Sequence, residues 1–424
     1  MPVSHPVGMA KGWRGLLEEE SEHQWIAISG FFVFIILGAI AIQGTSSLPG
    51  VDYRSNGLEA VDGRVMDIVY GNSGSYTATV LSDEGGVIYH YDKHGDARDI
   101  GADYEDVLGM TFLTQVHDGS IVVSPTNNTL EVIHVNSENL QRTIIPLDHD
   151  QATFDILDVA EQSNGDAYNW LMVTDEGNSS SLRGFGNVAT PLQPAQAAFG
   201  GATVTAAMAN SDGYEWNMVE ALDDGTWVVV GLMTNPLGAD ENSPATPIKK
   251  PIIGVISWSA GPTAPMLTSF KEVDHGEIHS LVKLKNGSIL AAGTESAVHI
   301  ALDGSKTEIG VSSESAVIDE KGDVWMFGSQ GSTSIVRMRE GVPEKMPLAR
   351  PLPLTVEVSG VSNDVIYGFG IGQSGQPSTY SIDTLAIGSI ESGRGLLNFL
   401  FFTASSIVMG VMLWTAFTRM RQNQ

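Results

Sequence analysis

The chain contains no cysteine. Disulfides, thiolate metal sites and cysteine nucleophiles are therefore all excluded, although an oxidising compartment stays open to a protein whose core needs no staples. Basic residues are scarce too: 22 Lys and Arg stand against 50 Asp and Glu, a formal charge of -28. A surface of that sign repels phosphate backbones and anionic head groups, which disfavours nucleic-acid binding and polybasic membrane docking. Several motifs are missing as well. There are no Gly-His and Trp-Asp pairs of WD repeats, and the double-glycine pattern of kelch repeats is lacking. No loop has the Asp-x-Asp-x-Asp-Gly order of a calcium site.

Charge is absent from two stretches, Trp25 to Ile42 (18 residues) and Gly395 to Phe417 (23 residues). Each is long enough to cross a hydrocarbon layer of about 30 Å as a helix. Trp25 and Trp414 lie near the segment ends, where indoles favour the membrane interface. Lys11 and Arg14 precede the first stretch, and Arg419 and Arg421 follow the second. The positive-inside tendency then places both termini in the cytoplasm and the acidic middle outside. The expected organisation is a tail over 1–24, a membrane helix over 25–43, an extracytoplasmic domain over 44–390, a second membrane helix over 391–418 and a tail over 419–424. Gly38 and the pair Ser406 and Gly410 offer small surfaces for close helix contact. A cleavable signal peptide is the alternative for the first stretch, because Ala39-Ile40-Ala41 has the small-x-small form; the acidic run Glu18, Glu19, Glu20 and Glu22 opposes it.

The middle of the chain repeats a phrase. It reads EGGVIYHY from Glu84, DGSIVVSP from Asp118, NGDAYNWLMV from Asn164, DGTWVVVG from Asp224, NGSILAAG from Asn286, KGDVWMFG from Lys321 and NDVIYGFG from Asn363. Asp-Gly and Asn-Gly tolerate the positive φ of a tight hairpin turn, and the β-branched and aromatic run that follows suits a strand. The glycines at 85, 119, 165, 225, 287 and 322 are 34, 46, 60, 62 and 35 residues apart. Intervals near 40 to 50 fit four-stranded blades around an axis, with insertions in the two long ones. Radial stacking covers both faces of sheets that cannot bury them alone. The expected fold is an all-β, seven-bladed β-propeller, with six or eight blades open and a pair of β-sandwiches as the alternative.

The phrases EKGDVWMFG and NGSILAAG resemble the blade consensus shared by YVTN-type, quinoprotein-like and two-component-regulator propellers. That resemblance implies the propeller fold and a recognition role at the mouths of a central channel. It brings no catalytic residue and no cofactor. Asp223-Asp224-Gly225-Thr226-Trp227 resembles the Asp-box of sialidases but lacks one residue between Gly225 and Thr226.

Other features bear on sites. His90, Asp92, His94 and Asp96 alternate as metal ligands on a strand would, but a strand leaving into a polar turn gives the same pattern. His275 and His279 are four apart in a strand context, unlike the helical pair of zinc proteases. No metal, cofactor or catalytic residue is assigned. Asn127, Asn178 and Asn286 head glycosylation triplets. The proline-rich stretch Asn235 to Pro251 reads as a protruding loop, with Lys249 and Lys250 as a contact for an acidic partner. The expected partners are the bilayer, through two helices, and an envelope protein or glycan, with no nucleic acid. The expected role is binding or scaffolding at the cell envelope. An envelope hydrolase or lyase acting at the propeller mouth, and a sensor working through a separate membrane partner, are the alternatives.

Overall fold

A computed structural model describes residues 23–45, most of 63–384 and 389–422; outside the description lie 1–22, 46–62, 101–111, 136–139, 148–151, 187–202, 236–247, 423–424 and a few shorter stretches. The chain divides into two units, Pro49–Ser389 and a second made of Met1–Leu48 with Ile390–Gln424.

The first unit is the seven-bladed propeller. Its described strands form seven antiparallel sheets, six of four strands and one of three, and the strands of each sheet follow one another in the chain. The inner strands are Arg64–Tyr70, Thr114–Gln115, Asp155–Asn164, Tyr214–Asp223, Ile278–Lys283, Ser315–Ile318 and Leu354–Ser362, for blades one to seven.

The repeated phrase forms the second strand of blades two to seven, after a turn from the inner strand. Gly119, Gly225, Gly287 and Gly322 all take positive φ at those turns. This strand lies in the middle of a blade and is covered on both faces by neighbouring blades. It is therefore continuously apolar rather than alternating. In Ile121–Val123, Ile289–Gly293 and Val324–Phe327 every residue is buried. Blade four shows the sorting. Trp227 and Val229 pack toward blade three with Leu171 and Leu182, whereas Val228 and Val230 pack toward blade five with Ile289 and Ala291. Each such side chain contributes about 1.5–3 kcal/mol of burial. The phrase at Glu84 is the exception, since it joins the second and third strands of blade one, Tyr76–Ser82 and Gly85–Tyr91. It is one hairpin out of step, which explains the short first interval of 34 residues.

The glycine that closes the phrase has its own cause. Gly231, Gly293 and Gly370 pair with Trp216, Ile278 and Val356 on the inner strands. A Cβ at these glycines would collide with the carbonyl oxygens of Glu215, Glu277 and Thr355. At each pairing the inner strand carries one extra residue: Asn217, His279 or Glu357. Met66 in blade one and Leu157 in blade three occupy the same kind of bulge. Bulges bend a strand and re-aim a side chain.

Blades one and seven join without exchanging a described strand. Arg64 donates two hydrogen bonds to Glu357, at 2.7 and 2.9 Å. Tyr70 stacks on Tyr367 with centroids 5.6 Å apart, and Tyr76 stacks on Tyr91 at 4.5 Å. Gly360 leaves room for the Tyr70 ring. Such aromatic pairs add about 0.5–1.5 kcal/mol each beyond their burial.

Of the stretch from Asn235 to Pro251, read as a protruding loop, residues 236–247 lie outside the described residues, and its two ends belong to strands. Thr226–Asn235 and Ile248–Ser257 are paired strands, with Thr234 opposite Lys249 and Met233 opposite Lys250. The two lysines are in the sheet, and Pro251 ends no strand.

The second unit contains two helices, α1 (His23–Thr45) and α2 (Ser389–Gln422). Gly38 is the close-contact position of this pair, because a Cβ there would run into the Phe401 ring. Phe34 and Phe401 lie 5.9 Å apart between centroids. Gly410, in contrast, meets nothing within 4 Å. Side chains of α1 are described over 29–40. Among the described residues no helix is long and apolar enough to cross a membrane.

Candidate functional site

The inner strands of all seven blades contribute to the wall of one central cavity of about 870 Å³. The bulge residues Met66, Leu157, Asn217, His279 and Glu357 all line it. Besides Glu357, four carboxylates line it: Asp67, Asp158, Glu161 and Glu220.

Two of these carboxylates tie neighbouring blades together. Asp67 accepts the Ile68 N–H at 2.8 Å in its own strand and the Leu113 N–H of blade two at 2.7 Å. Asp158 accepts the Val159 N–H at 2.8 Å and the Val219 N–H of blade four at 2.8 Å. Ser280 repeats the arrangement with a hydroxyl, accepting the Ala316 N–H of blade six at 3.1 Å. Glu220 accepts the Ala221 N–H at 2.8 Å. Burial pushes the Asp67 carboxyl up to about 6 against the two N–H donors, which act the other way. Burial also raises Asp158 well above the usual range, and the charges of Asp67 and Glu220 add to it. Glu220 is raised by burial, with Lys283 opposing. Burial thus disfavours the charged forms of these carboxyls more than the N–H donors favour them.

At one mouth a second cavity of about 410 Å³ opens beside the first. It is lined by Arg64, Glu277, His279, Glu314, Thr355 and Glu357, among others. Arg64 is engaged by Glu357. His279 Nε2 lies 3.6 Å from Glu314 Oε2, which is an ion-pair distance but too long for a hydrogen bond. That nitrogen is shielded from solvent and has no hydrogen-bond partner among the described residues. Toward the ends of the inner strands stand His117 and Glu161. His117 approaches Glu161 through Nδ1 at 3.0 Å and donates its backbone N–H at 2.7 Å. Trp170 Nε1 also donates to Glu161, at 3.2 Å.

The residues singled out in the sequence lie elsewhere, except His279. His90 is hydrogen-bonded to Thr77 at 3.0 Å, and Asp92 accepts the Asp96 N–H at 3.0 Å and so closes the turn. Burial lowers the His90 pKa. His94 and His275 lie outside the described residues. No group of three or more metal-ligating side chains occurs among the described residues. Asn127 is exposed at a turn, whereas Asn286 Oδ1 accepts both the Ser288 N–H and its hydroxyl, at 3.1 and 2.7 Å. Asn178 is outside the description. Lys249 pairs with Glu215 at 2.8 Å and Lys250 with Glu272 at 3.5 Å, so neither is a free loop cation. Sequence reasoning missed Arg64, Asp67, Asp158, Glu220, Glu314 and Glu357. Only Glu357 has a signal, and it is indirect: the closing glycine of a phrase marks the bulge opposite, and the bulge residue faces the channel.

No family model matches the chain, and no curated protein matches it. Solved structures do. A virginiamycin B lyase from Staphylococcus aureus, crystallised with quinupristin, is 11% identical with a TM-score of 0.49 over 78% of this chain and 97% of that one. The Dos1 propeller is 12% identical with a TM-score of 0.47, over 75% and 78%. A puromycin hydrolase complexed with PGG is 12% identical with a TM-score of 0.50, and the match covers 80% of this chain and 55% of that one. These likenesses concern the fold, a β-propeller.

Proposed function

We propose that the chain is a membrane-anchored, extracytoplasmic propeller that binds a ligand or an envelope protein or glycan at its central channel. The observation that carries this reading is the convergence of seven inner strands on one cavity lined by several polar and ionisable side chains. Ligand sites favour such concave places with a few convergent polar groups. Anchoring is supported by the charge-free stretches 25–42 and 395–417, which fall within α1 and α2. Phe32, Phe34, Leu37, Phe399, Phe402 and Trp414 are all exposed on them, and an exposed apolar surface of this kind suits lipid better than water. The basic residues at 11, 14, 419 and 421 support an outward-facing acidic domain.

The test has two arms. Protease added to sealed cells is expected to remove the propeller; complete protection sinks the topology. A photo-crosslinking residue at Asn217 in the channel is expected to capture an envelope component that one at exposed Thr307 does not. Equal capture from both positions sinks the channel as the binding surface.

A second reading is favoured by one feature. His279 stands with Glu277 and Glu314 at a single mouth, as an acid–base site of a hydrolase or lyase requires. If turnover of any envelope glycan or peptide is found, His279→Ala is expected to abolish it while leaving binding within a few fold. Retained turnover removes this reading.

A further inference from the structure

We propose that the mouth cavity bounded by His279, Glu314 and Glu277 binds a primary ammonium group on a small aliphatic ligand; this deepens the channel-binding reading and rests on it. His279 Nε2 and Glu314 Oε2 are 3.6 Å apart, too far to bond each other. A single N–H donor atom at an ordinary hydrogen-bond distance of about 2.9 Å from both would bridge that gap once the side chains shielding the histidine nitrogen give way. The histidine nitrogen is closed to solvent and unpartnered among the described residues, so a bound donor would relieve an existing deficit.

Charge points the same way. Arg64 is the one Lys or Arg lining this cavity, and its guanidinium donates two hydrogen bonds to Glu357. Glu277 has no hydrogen bond or ion pair to its carboxylate among the described residues, and Glu314 faces only His279. The adjoining channel adds Asp67, Asp158 and Glu220 against Lys283. A cation gains from this field, whereas an anion meets only Arg64, already held in a bidentate pair. The backbone of His279 is fixed by its bulge and by the collision that holds Gly293 opposite, so only side chains need adjust when the ligand arrives.

The test titrates the full chain in detergent with n-butylammonium and, separately, with tetramethylammonium, which has the same charge but no N–H donor. Calorimetry is expected to show butylammonium binding with a Kd on the order of millimolar, as befits so small a ligand, and tetramethylammonium binding at least tenfold more weakly. Glu314→Gln and His279→Leu are each expected to weaken butylammonium at least tenfold, the usual loss for a hydrogen bond to a charged group. Glu308→Gln, on the outer strand of blade five, is expected to leave it unchanged. Should Glu314→Gln fail to fold, Glu277→Gln, at an exposed position, serves in its place. Equal binding of the two cations, or butylammonium binding indifferent to Glu314→Gln, overturns the proposal in favour of diffuse surface attraction. The crosslinking at Asn217 separates the two readings. Specific capture without ammonium binding overturns the ammonium site alone, and ammonium binding without capture overturns the envelope-partner reading alone.

Discussion

Replacing Gly293 by Ala tests whether the closing glycine of the phrase and the bulge opposite form one device. The added methyl would meet the Glu277 carbonyl oxygen and, at 3.3 Å, the Ile278 Cα, and both are backbone atoms that no rotamer change can withdraw. The inner strand must therefore shift, at the usual overpacking cost of about 1–3 kcal/mol. Loss of glycine's freedom in the unfolded chain returns about 0.4–1 kcal/mol. The net expectation is a destabilisation of about 1–2 kcal/mol. Gly310→Ala is the control, because Gly310 meets nothing within 4 Å; there only the unfolded-chain gain applies. Tryptophan fluorescence during thermal unfolding of the full chain in detergent follows both variants. At roughly 2–4 °C per kcal/mol for domains of moderate size, Gly293→Ala should lower Tm by about 2–8 °C and Gly310→Ala should not lower it at all. Because the bulge residue moves with the strand, Gly293→Ala should also weaken butylammonium. Equal Tm values for the two variants would refute the pairing of glycine and bulge.

Three other expectations follow from the same coordinates. Asp67 has its folded pKa raised to about 6 from 3.8, so the folded state binds more protons than the unfolded between those values. This contribution makes the propeller more stable as pH falls from 7 toward 4, by up to about 3 kcal/mol; Asp158 and Glu220 shift in the same direction. Urea unfolding at pH 7.5 and 5 checks this, and a lower stability at pH 5 contradicts it. At the seam between blades one and seven, Arg64→Ala, Glu357→Ala and the double variant should give a coupling energy of about 0.2–1 kcal/mol in a double-mutant cycle, since the pair is partly exposed; an additive pair sinks the seam contact. Asp319 accepts the N–H groups of Lys321 and Asp323 and the Trp325 indole N–H, at 2.9, 3.0 and 2.9 Å. Asp319→Ala should therefore cost about 1–3 kcal/mol through buried donors left unpaired, and a change below 0.5 kcal/mol in urea unfolding would be inconsistent with that role.

Turn chemistry and apolar runs made the blades legible. Asp-Gly and Asn-Gly before strands such as ILAAG reveal both the hairpin and the doubly covered middle strand, because positive φ and two-sided burial each restrict residue choice strongly. The copy at Glu84 misled for the same reason: Gly85 also takes positive φ, but in the second hairpin of its blade. Pro251 misled differently: proline suggested a loop there, yet it sits in a paired strand opposite Leu232. The site was nearly invisible. Inner strands read HSLVK or TVEVSG, and one inserted residue decides whether a side chain faces the channel or a neighbouring blade. Nothing local marks His279 or Glu357 as inserted. Only Gly293 and Gly370, far along the chain, register it.

The consecutive weaving of each sheet has a consequence for the ring as a whole. Because the described strands of every blade come from one uninterrupted segment, no sheet would be unravelled by moving the chain ends to another gap between blades. The circle is like a bracelet whose clasp, the tyrosine stack with Arg64 and Glu357, could in topology be any link. A permuted chain opening between blades four and five, with the present clasp bridged by a short linker, would keep every sheet entire.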